Sequence, residues 1–103
     1  METMIPSVAI RALANDRRQR ILEWLKKPMK HFPPHVAGDL AEDGVCGCLI
    51  ARKLRVSQPT LSEDMKILCQ AGLIRPKRIE RQIFYKRDES RIRKIKKTIL
   101  SKV

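Results

Sequence analysis

No apolar run in this chain approaches the ~20 residues that cross a bilayer, and aromatic residues make up only 4% of it. The first absence argues against a membrane-spanning helix. The second weighs against a single-stranded RNA reader, which needs aromatic platforms on which bases stack. The N-terminus lacks a basic segment followed by an apolar stretch, so no secretory leader is expected and the cytoplasm is the expected compartment. Three cysteines do not make a secreted disulfide framework; inside a cell such thiols are reduced, reactive or metal-bound. A Gly-rich phosphate loop, a spaced Ser/His/Asp arrangement and a pocketed pair of carboxylates are all missing, which argues against an enzyme. Glu42-Asp43 read more simply as favourable charges ahead of a helix N-terminus. Internal repeats and low-complexity stretches are absent too.

What is present is basic charge, unevenly spread. The 103 residues, enough for one domain with a single core, carry a net charge of +12 and are 43% hydrophobic. Residues 74–103 hold twelve Lys or Arg against Glu80, Asp88 and Glu89, and so supply +9 of that total. Residues 28–44 set Lys30 against Asp39, Glu42 and Asp43, a local −2. A polyanion is the natural partner, because each neutralised phosphate releases counterions. A merely solvated basic surface or a membrane-surface helix is the bland alternative.

The segment from Val56 to Leu73 is the most informative. Ser57 is a good N-cap, and Pro59 is tolerated in a first turn whose N–H groups lack intrahelical partners. Leu61, Met65, Leu68 and Gly72 recur at helical spacing and mark the buried face. Gln58, Thr60, Ser62, Glu63 and Lys66 are left pointing outward, and Gly72 ends the helix as a left-handed cap. Small polar groups in a first turn are what a DNA-recognition helix needs, reaching phosphates and base edges while the apolar side grips a scaffold.

Around it, Ile5, Val8, Ala12 and Leu13 predict an amphipathic helix over 4–14. A second, capped by Asn15 or Asp16, runs to about Lys27 with Ile21, Leu22 and Leu25 inward, and Pro28 ends it. Residues 28–44, with Pro33-Pro34 and two glycines, read as a loop well beyond the usual ~2–8 residues of a helix connection. A third helix is expected over 46–54 with Leu49, Ile50 and Leu54 apolar, and Arg55-Val56 is the tight turn of a helix-turn-helix spanning 46–72. Residues 74–87 are rich in β-branched and aromatic residues about a polar centre at Ile79-Glu80, which predicts a two-stranded hairpin. Its tip lacks glycine, and Pro76 requires an edge strand. A last helix over 88–101 opens with Asp88-Glu89-Ser90 and buries Ile92, Ile95 and Ile99. The fold class is mostly α with a β-hairpin wing: four helices, a hairpin and a fifth helix in one winged helix-turn-helix domain over 1–103.

The residues themselves then become familiar. Leu13-Ala-Asn-Asp-Arg-Arg-Gln-Arg-Ile-Leu22, Ser57-Gln-Pro-Thr-Leu-Ser62, Leu68-Cys-Gln-Ala-Gly-Leu73 and the wing ending Phe84-Tyr85 resemble the ArsR/SmtB family of repressors over nearly the whole chain. The resemblance implies a homodimeric, sequence-specific regulator of transcription, a repressor released by an inducer, whose first and last helices pair across a two-fold axis. It places Ser57, Gln58, Thr60 and Ser62 at DNA-reading positions in successive major grooves of double-stranded DNA, and Arg78 and Arg81 where wing residues reach the backbone or minor groove. Lys66 adds a cation to the same outward face. Asp64 departs from the pattern, since many relatives have His there; a carboxylate on this helix should repel phosphate unless an Arg or Lys neutralises it. Independently, the apolar faces of both terminal helices exceed what one small core needs, and dimerisation would bury the surplus.

One recurrent sensor site of that family is a Cys-x-Cys nine residues before the Ser of the Ser-Gln-Pro segment, and Cys46-Gly-Cys48 stands there. Thiolates suit soft ions such as As(III), Cd(II), Pb(II), Zn(II) or Cu(I), and a helix N-terminus should lower their pKa. Two positions apart on a regular helix, however, side chains diverge by about 200°, so the first turn must be irregular for both to meet one ion; Gly47 and Gly44 permit that. His31, His35, Asp39 and Asp43 are conceivable further ligands, whereas Cys69 lies at the far end of the recognition helix. The last helix has no His, so the Asp/His/His/Glu zinc site of some relatives is not expected. Oxidation of the pair, constitutive DNA binding without a thiol sensor, a basic RNA-binding module and a protein-interaction adaptor remain as alternatives.

Overall fold

The computed structural model describes residues 6–34 and 39–103. Helix α1 (Pro6–Leu13) leads into α2 (Asp16–Lys26), a short α3 (Pro28–His31), strand β1 (Val45–Cys46), α4 (Gly47–Leu54), α5 (Gln58–Gln70), β2 (Ile74–Ile79), β3 (Gln82–Arg87) and α6 (Glu89–Ser101). The winged helix-turn-helix is therefore present, with one more helical turn and one more strand than the sequence predicts. The antiparallel sheet runs β1-β3-β2, pairing Val45 with Tyr85 and Cys46 with Phe84 on one side, and Ile74 with Arg87 through Ile79 with Gln82 on the other. Pro76 thus lies on an edge strand, where its missing N–H costs no central ladder bond.

Several helix ends have a local cause. The Asn15 side chain accepts from the Arg18 N–H at 3.1 Å and caps α2. The end of α5 is a Schellman motif: Leu73 N–H reaches the Leu68 carbonyl at 3.1 Å, Gly72 N–H reaches Cys69 at 3.0 Å, and Gly72 takes φ +78°. The end of α4 repeats this geometry with Val56 N–H on Ala51 and Arg55 N–H on Arg52, but Arg55 occupies the left-handed position at φ +61°. At the wing tip Glu80 does the same at φ +56°, which is how a glycine-free tip closes.

The core gathers Ile21, Leu22 and Leu25 of α2, Ile50 and Ala51 of α4, Leu61, Met65 and Leu68 of α5, Leu73, Ile74, Phe84 and Ile92. Three expectations need correcting. First, 28–44 is not all loop. Pro28 ends α2 but also opens α3, at a position where proline's missing N–H is harmless. The Asp39 carboxylate then turns the chain by accepting from Ala41 and Glu42 N–H groups at 2.9 Å each. Gly44 (φ +94°) enters β1 so close to β3 that a Cβ there would sit 2.2 Å from the Tyr85 carbonyl oxygen. Secondly, α1 buries Ala9 and Ala12, not Val8, which is 43% exposed; the two alanines let the helix approach α2, α5 and α6 closely. Leu13 is half-buried, and Ile5 lies outside the described residues. Thirdly, α6 buries only Ile92; Ile95 and Ile99 are half-buried, and Leu100 is 74% exposed.

Candidate nucleic-acid interface and thiol pair

Helix α5 divides cleanly. Leu61, Met65 and Leu68 face inward with almost no exposure, while Ser57, Gln58, Ser62, Glu63 and Lys66 are exposed. Thr60 is half-buried, and its hydroxyl lies 3.0 Å from that of Ser57, which also accepts from the Thr60 N–H at 3.3 Å. Ser57 and Thr60 are thus occupied in part by capping the helix, and Gln58, Ser62 and Lys66 are the side chains that project furthest from structural duty.

Asp64 is on the inner side, 1% exposed. Arg17 grips it in a fork, Nε to Oδ2 at 2.7 Å and Nη2 to Oδ1 at 3.1 Å, and Arg18 Nη1 reaches Oδ1 at 3.2 Å. The buried Arg18 also donates to the carbonyls of Ala12 at 2.8 Å and Arg11 at 3.1 Å. One guanidinium thereby ties the end of α1, the start of α2 and the middle of α5 together. The carboxylate, expected to repel phosphate unless an Arg or Lys neutralised it, is neutralised by two arginines inside the protein, and its partnership raises the Arg17 pKa through hydrogen bonding and charge. Sequence reasoning missed this triad; its only signal was the Arg17-Arg18 pair after the Asn15 cap.

The wing's cations fall into two groups. Arg75 pairs with Asp88 at 3.3 Å, Arg87 with Glu89 at 2.9 Å, and Lys77 with Asp43. Lys86 reaches the Glu42 carbonyl at 3.3 Å. Arg78 and Arg81 are exposed at the tip and make no ion pair among the described residues. The Asp43–Lys77 pair lowers the Asp43 pKa, chiefly through its hydrogen bond, and raises that of Lys77.

Cys46 is the last residue of β1 and the N-cap of α4, with extended backbone (φ −60°, ψ 135°). That is the irregularity the spacing demanded, and it brings the Cys46 and Cys48 Sγ atoms to 2.7 Å. Cys46 Sγ is also 3.5 Å from Gln82 Oε1 on β3, a neighbour 36 residues away that no local pattern signals. The expected fall in thiol pKa is reversed at Cys46. Burial, then the hydrogen bond with Cys48, push it up, and the backbone N–H groups of Cys48 and Leu49 do not compensate. Burial likewise raises Cys69, and raises Tyr85 together with the nearby Cys69 and Cys46. No group of three His, Cys, Asp or Glu side chains suited to a metal stands together among the described residues. His31 packs against Trp24 at 6.5 Å between ring centres. Asp39 holds its turn, Asp43 holds Lys77, and His35 lies outside the described residues.

No family model matches the chain. Over 92 residues it is 45% identical to YbzH of Bacillus subtilis, an uncharacterized HTH-type transcriptional regulator, a match covering 89% of this chain and 92% of that protein. The chain belongs to the HTH-type transcriptional regulators. It is a DNA-binding regulator and not an enzyme. Among solved structures, an ArsR family transcriptional regulator matches with a TM-score of 0.67 at 14% identity over 98% of this chain and 92% of that one. HlyU from Vibrio cholerae gives 0.61 at 23% over 87% and 83%, and NolR from Sinorhizobium fredii 0.61 at 21% over 96% and 93%. The regulator's fold is accordingly the ArsR/SmtB-type winged helix. No helix among its described residues is long and apolar enough to cross a membrane.

Proposed function

We propose that the chain is a homodimeric, sequence-specific repressor acting in the cytoplasm on double-stranded DNA, released when a thiophilic metal or metalloid, or an oxidant, engages Cys46 and Cys48. The observation that carries the DNA reading is the split of α5. Gln58, Ser62 and Lys66 project from one side, Asp64 and the apolar stripe are locked on the other, and the Arg78 and Arg81 tip stands beyond. Gln58 and Ser62, with Ser57 and Thr60 at the helix entry, read base edges and phosphates; Lys66, Arg78 and Arg81 hold the backbone.

Dimerisation is supported by the apolar surface left on the two helices that pack together. Val8 (43% exposed) and Ile10 (52%) lie on α1, and Leu100 (74%) with half-buried Ile95 and Ile99 lies on α6. A second copy would cover them and double the charge facing the duplex. The thiol reading is supported by two sulfurs already side by side. With no third side-chain ligand among the described residues, the pair suits an occupant satisfied by two sulfurs, such as a substituted As(III) or a disulfide-forming oxidant, better than Zn(II) or Cd(II) with their larger shells.

Anisotropy titration of the protein on its own upstream DNA and on scrambled DNA, alongside light scattering for mass, tests the reading. A dimer preferring the upstream DNA, released on thiol modification but retained in a Cys46→Ser, Cys48→Ser double variant, is the expected result. A monomer binding both duplexes equally would contradict it.

A further inference from the structure

The thiol pair is not isolated in its loop. Cys46 faces Phe84 across the β1–β3 ladder, two residues along β3 from Gln82. Gln82 in turn pairs with Ile79 to close the two-residue tip that carries Arg81. The contacts form a short relay: the Cys46 and Cys48 Sγ atoms lie 2.7 Å apart, and the Cys46 thiol donates to Gln82 Oε1 (3.5 Å). Gly47, between the cysteines, lies where a Cβ would touch Tyr85 of β3 at 3.2 Å and Leu61 of α5 at 3.5 Å. The Cys-Gly-Cys backbone therefore lies close to both reading elements.

We propose that the chemical state of the Cys46–Cys48 pair is transmitted to the wing through Gln82. The proposal rests on the thiol-sensing reading above and names the route by which that sensing acts. The reason is a change in proton inventory. A thiol can donate to an amide oxygen, and the Cys46 sulfur stands 3.5 Å from the amide oxygen of Gln82. A sulfur bound to a metalloid has lost its proton and can only accept. Gln82 Oε1 and the sulfur then repel, and the side chain must rotate away or turn its NH2 inward, moving the strand end next to Arg81.

A monosubstituted arsenical is the probe suited to two thiols. Phenylarsine oxide forms two As–S bonds, its As=O bond breaks, and the oxygen leaves as water with both thiol protons; no oxidant is required. The full-length protein, in a Cys69→Ser background so that only the pair reacts, is titrated with phenylarsine oxide while thiol consumption and DNA anisotropy are followed together. Without Gln82 substitution, two thiols are consumed and affinity falls at least about tenfold relative to the unmodified protein. In Gln82→Leu, which removes the acceptor at an exposed position, two thiols are consumed but affinity changes less than about twofold from its own unmodified value. Gln82→Glu, which keeps an acceptor that cannot become a donor, restores or enlarges the release.

If Gln82→Leu loses DNA as readily as the parent after consuming two thiols, the route through Gln82 is wrong while thiol sensing stands. If the parent consumes two thiols and stays on DNA, or consumes none, thiol sensing fails and the route with it.

Discussion

Replacing Asp64 by alanine leaves Arg18, whose side chain is 11% exposed, facing an empty site in the interior. Removing one partner of a buried ion pair costs roughly 3–5 kcal/mol, because the remaining charge stays desolvated. A domain of this size is stable by only about 5–15 kcal/mol, so roughly a fifth or more of its stability is at stake. At about 4–8 °C per kcal/mol, the melting temperature should fall by more than roughly 10 °C. The loss is moderated by the Ala12 and Arg11 carbonyls, which still accept from Arg18, and by Arg17, whose side chain is 41% exposed and regains water. Urea unfolding followed by far-ultraviolet circular dichroism, at fixed protein concentration because the proposed dimer would couple folding to association, reads the change directly. Asp64→Asn separates this reading from the one that sequence alone invites. If the carboxylate faced phosphate, neutralising it would tighten DNA binding and steepen the salt dependence. Inside the triad, Asp64→Asn should weaken folding and leave the salt slope unaltered. A stable Asp64→Asn protein that binds DNA more tightly would refute the inward assignment.

Other outcomes follow from particular contacts. Gly44→Ala places a methyl 2.2 Å from the Tyr85 carbonyl and should unseat β1, seen as a fall in melting temperature larger than that of Gly72→Ala, where the nearest atom is the end of the flexible Arg91 side chain at 2.9 Å. Gln58→Ala should relax sequence preference by ~1–3 kcal/mol, measured as the ratio of affinities for upstream and scrambled duplexes. Arg78→Ala and Arg81→Ala should each weaken binding to all sequences and reduce the salt slope by about one. Asp43→Asn releases Lys77, so DNA affinity should rise and the salt slope steepen. The Asp43 pKa lies below its ordinary value, so the pair's contribution is complete above the unfolded carboxylate range and is lost only as pH falls through the lowered pKa. A pH titration of the Asn-minus-Asp difference should therefore be flat from about pH 5 to 8 and shrink only in stronger acid.

The parts of this protein that local chemistry specifies were legible from its residues. Ser57, Pro59 and Gly72 bracket α5 because capping and left-handed closure are decided within a few positions. The wing was visible because Ile83-Phe84-Tyr85 cannot hide its strand character. What remained hidden depends on partners far along the chain. A carboxylate at position 64 reads as solvent-facing until Arg17 and Arg18, 47 and 46 residues earlier, come to meet it. Cys46 reads as a helix residue because β1 is two residues long and exists only through pairing with Tyr85 and Phe84. The α1 face was misassigned because Val8 carries a stronger hydrophobic signal than Ala9, although close helix packing favours the smaller side chain.

Hydroxyl-radical and methylation footprinting of the protein on its upstream DNA tests most directly the claim that a pair of α5 helices, one per protomer, reads the duplex. Two symmetric major-groove segments, centred about one helical turn (~10 bp) apart, should be protected, with weaker protection outside them where the wings lie. One isolated protected segment, or uniform protection without a repeat, would contradict it.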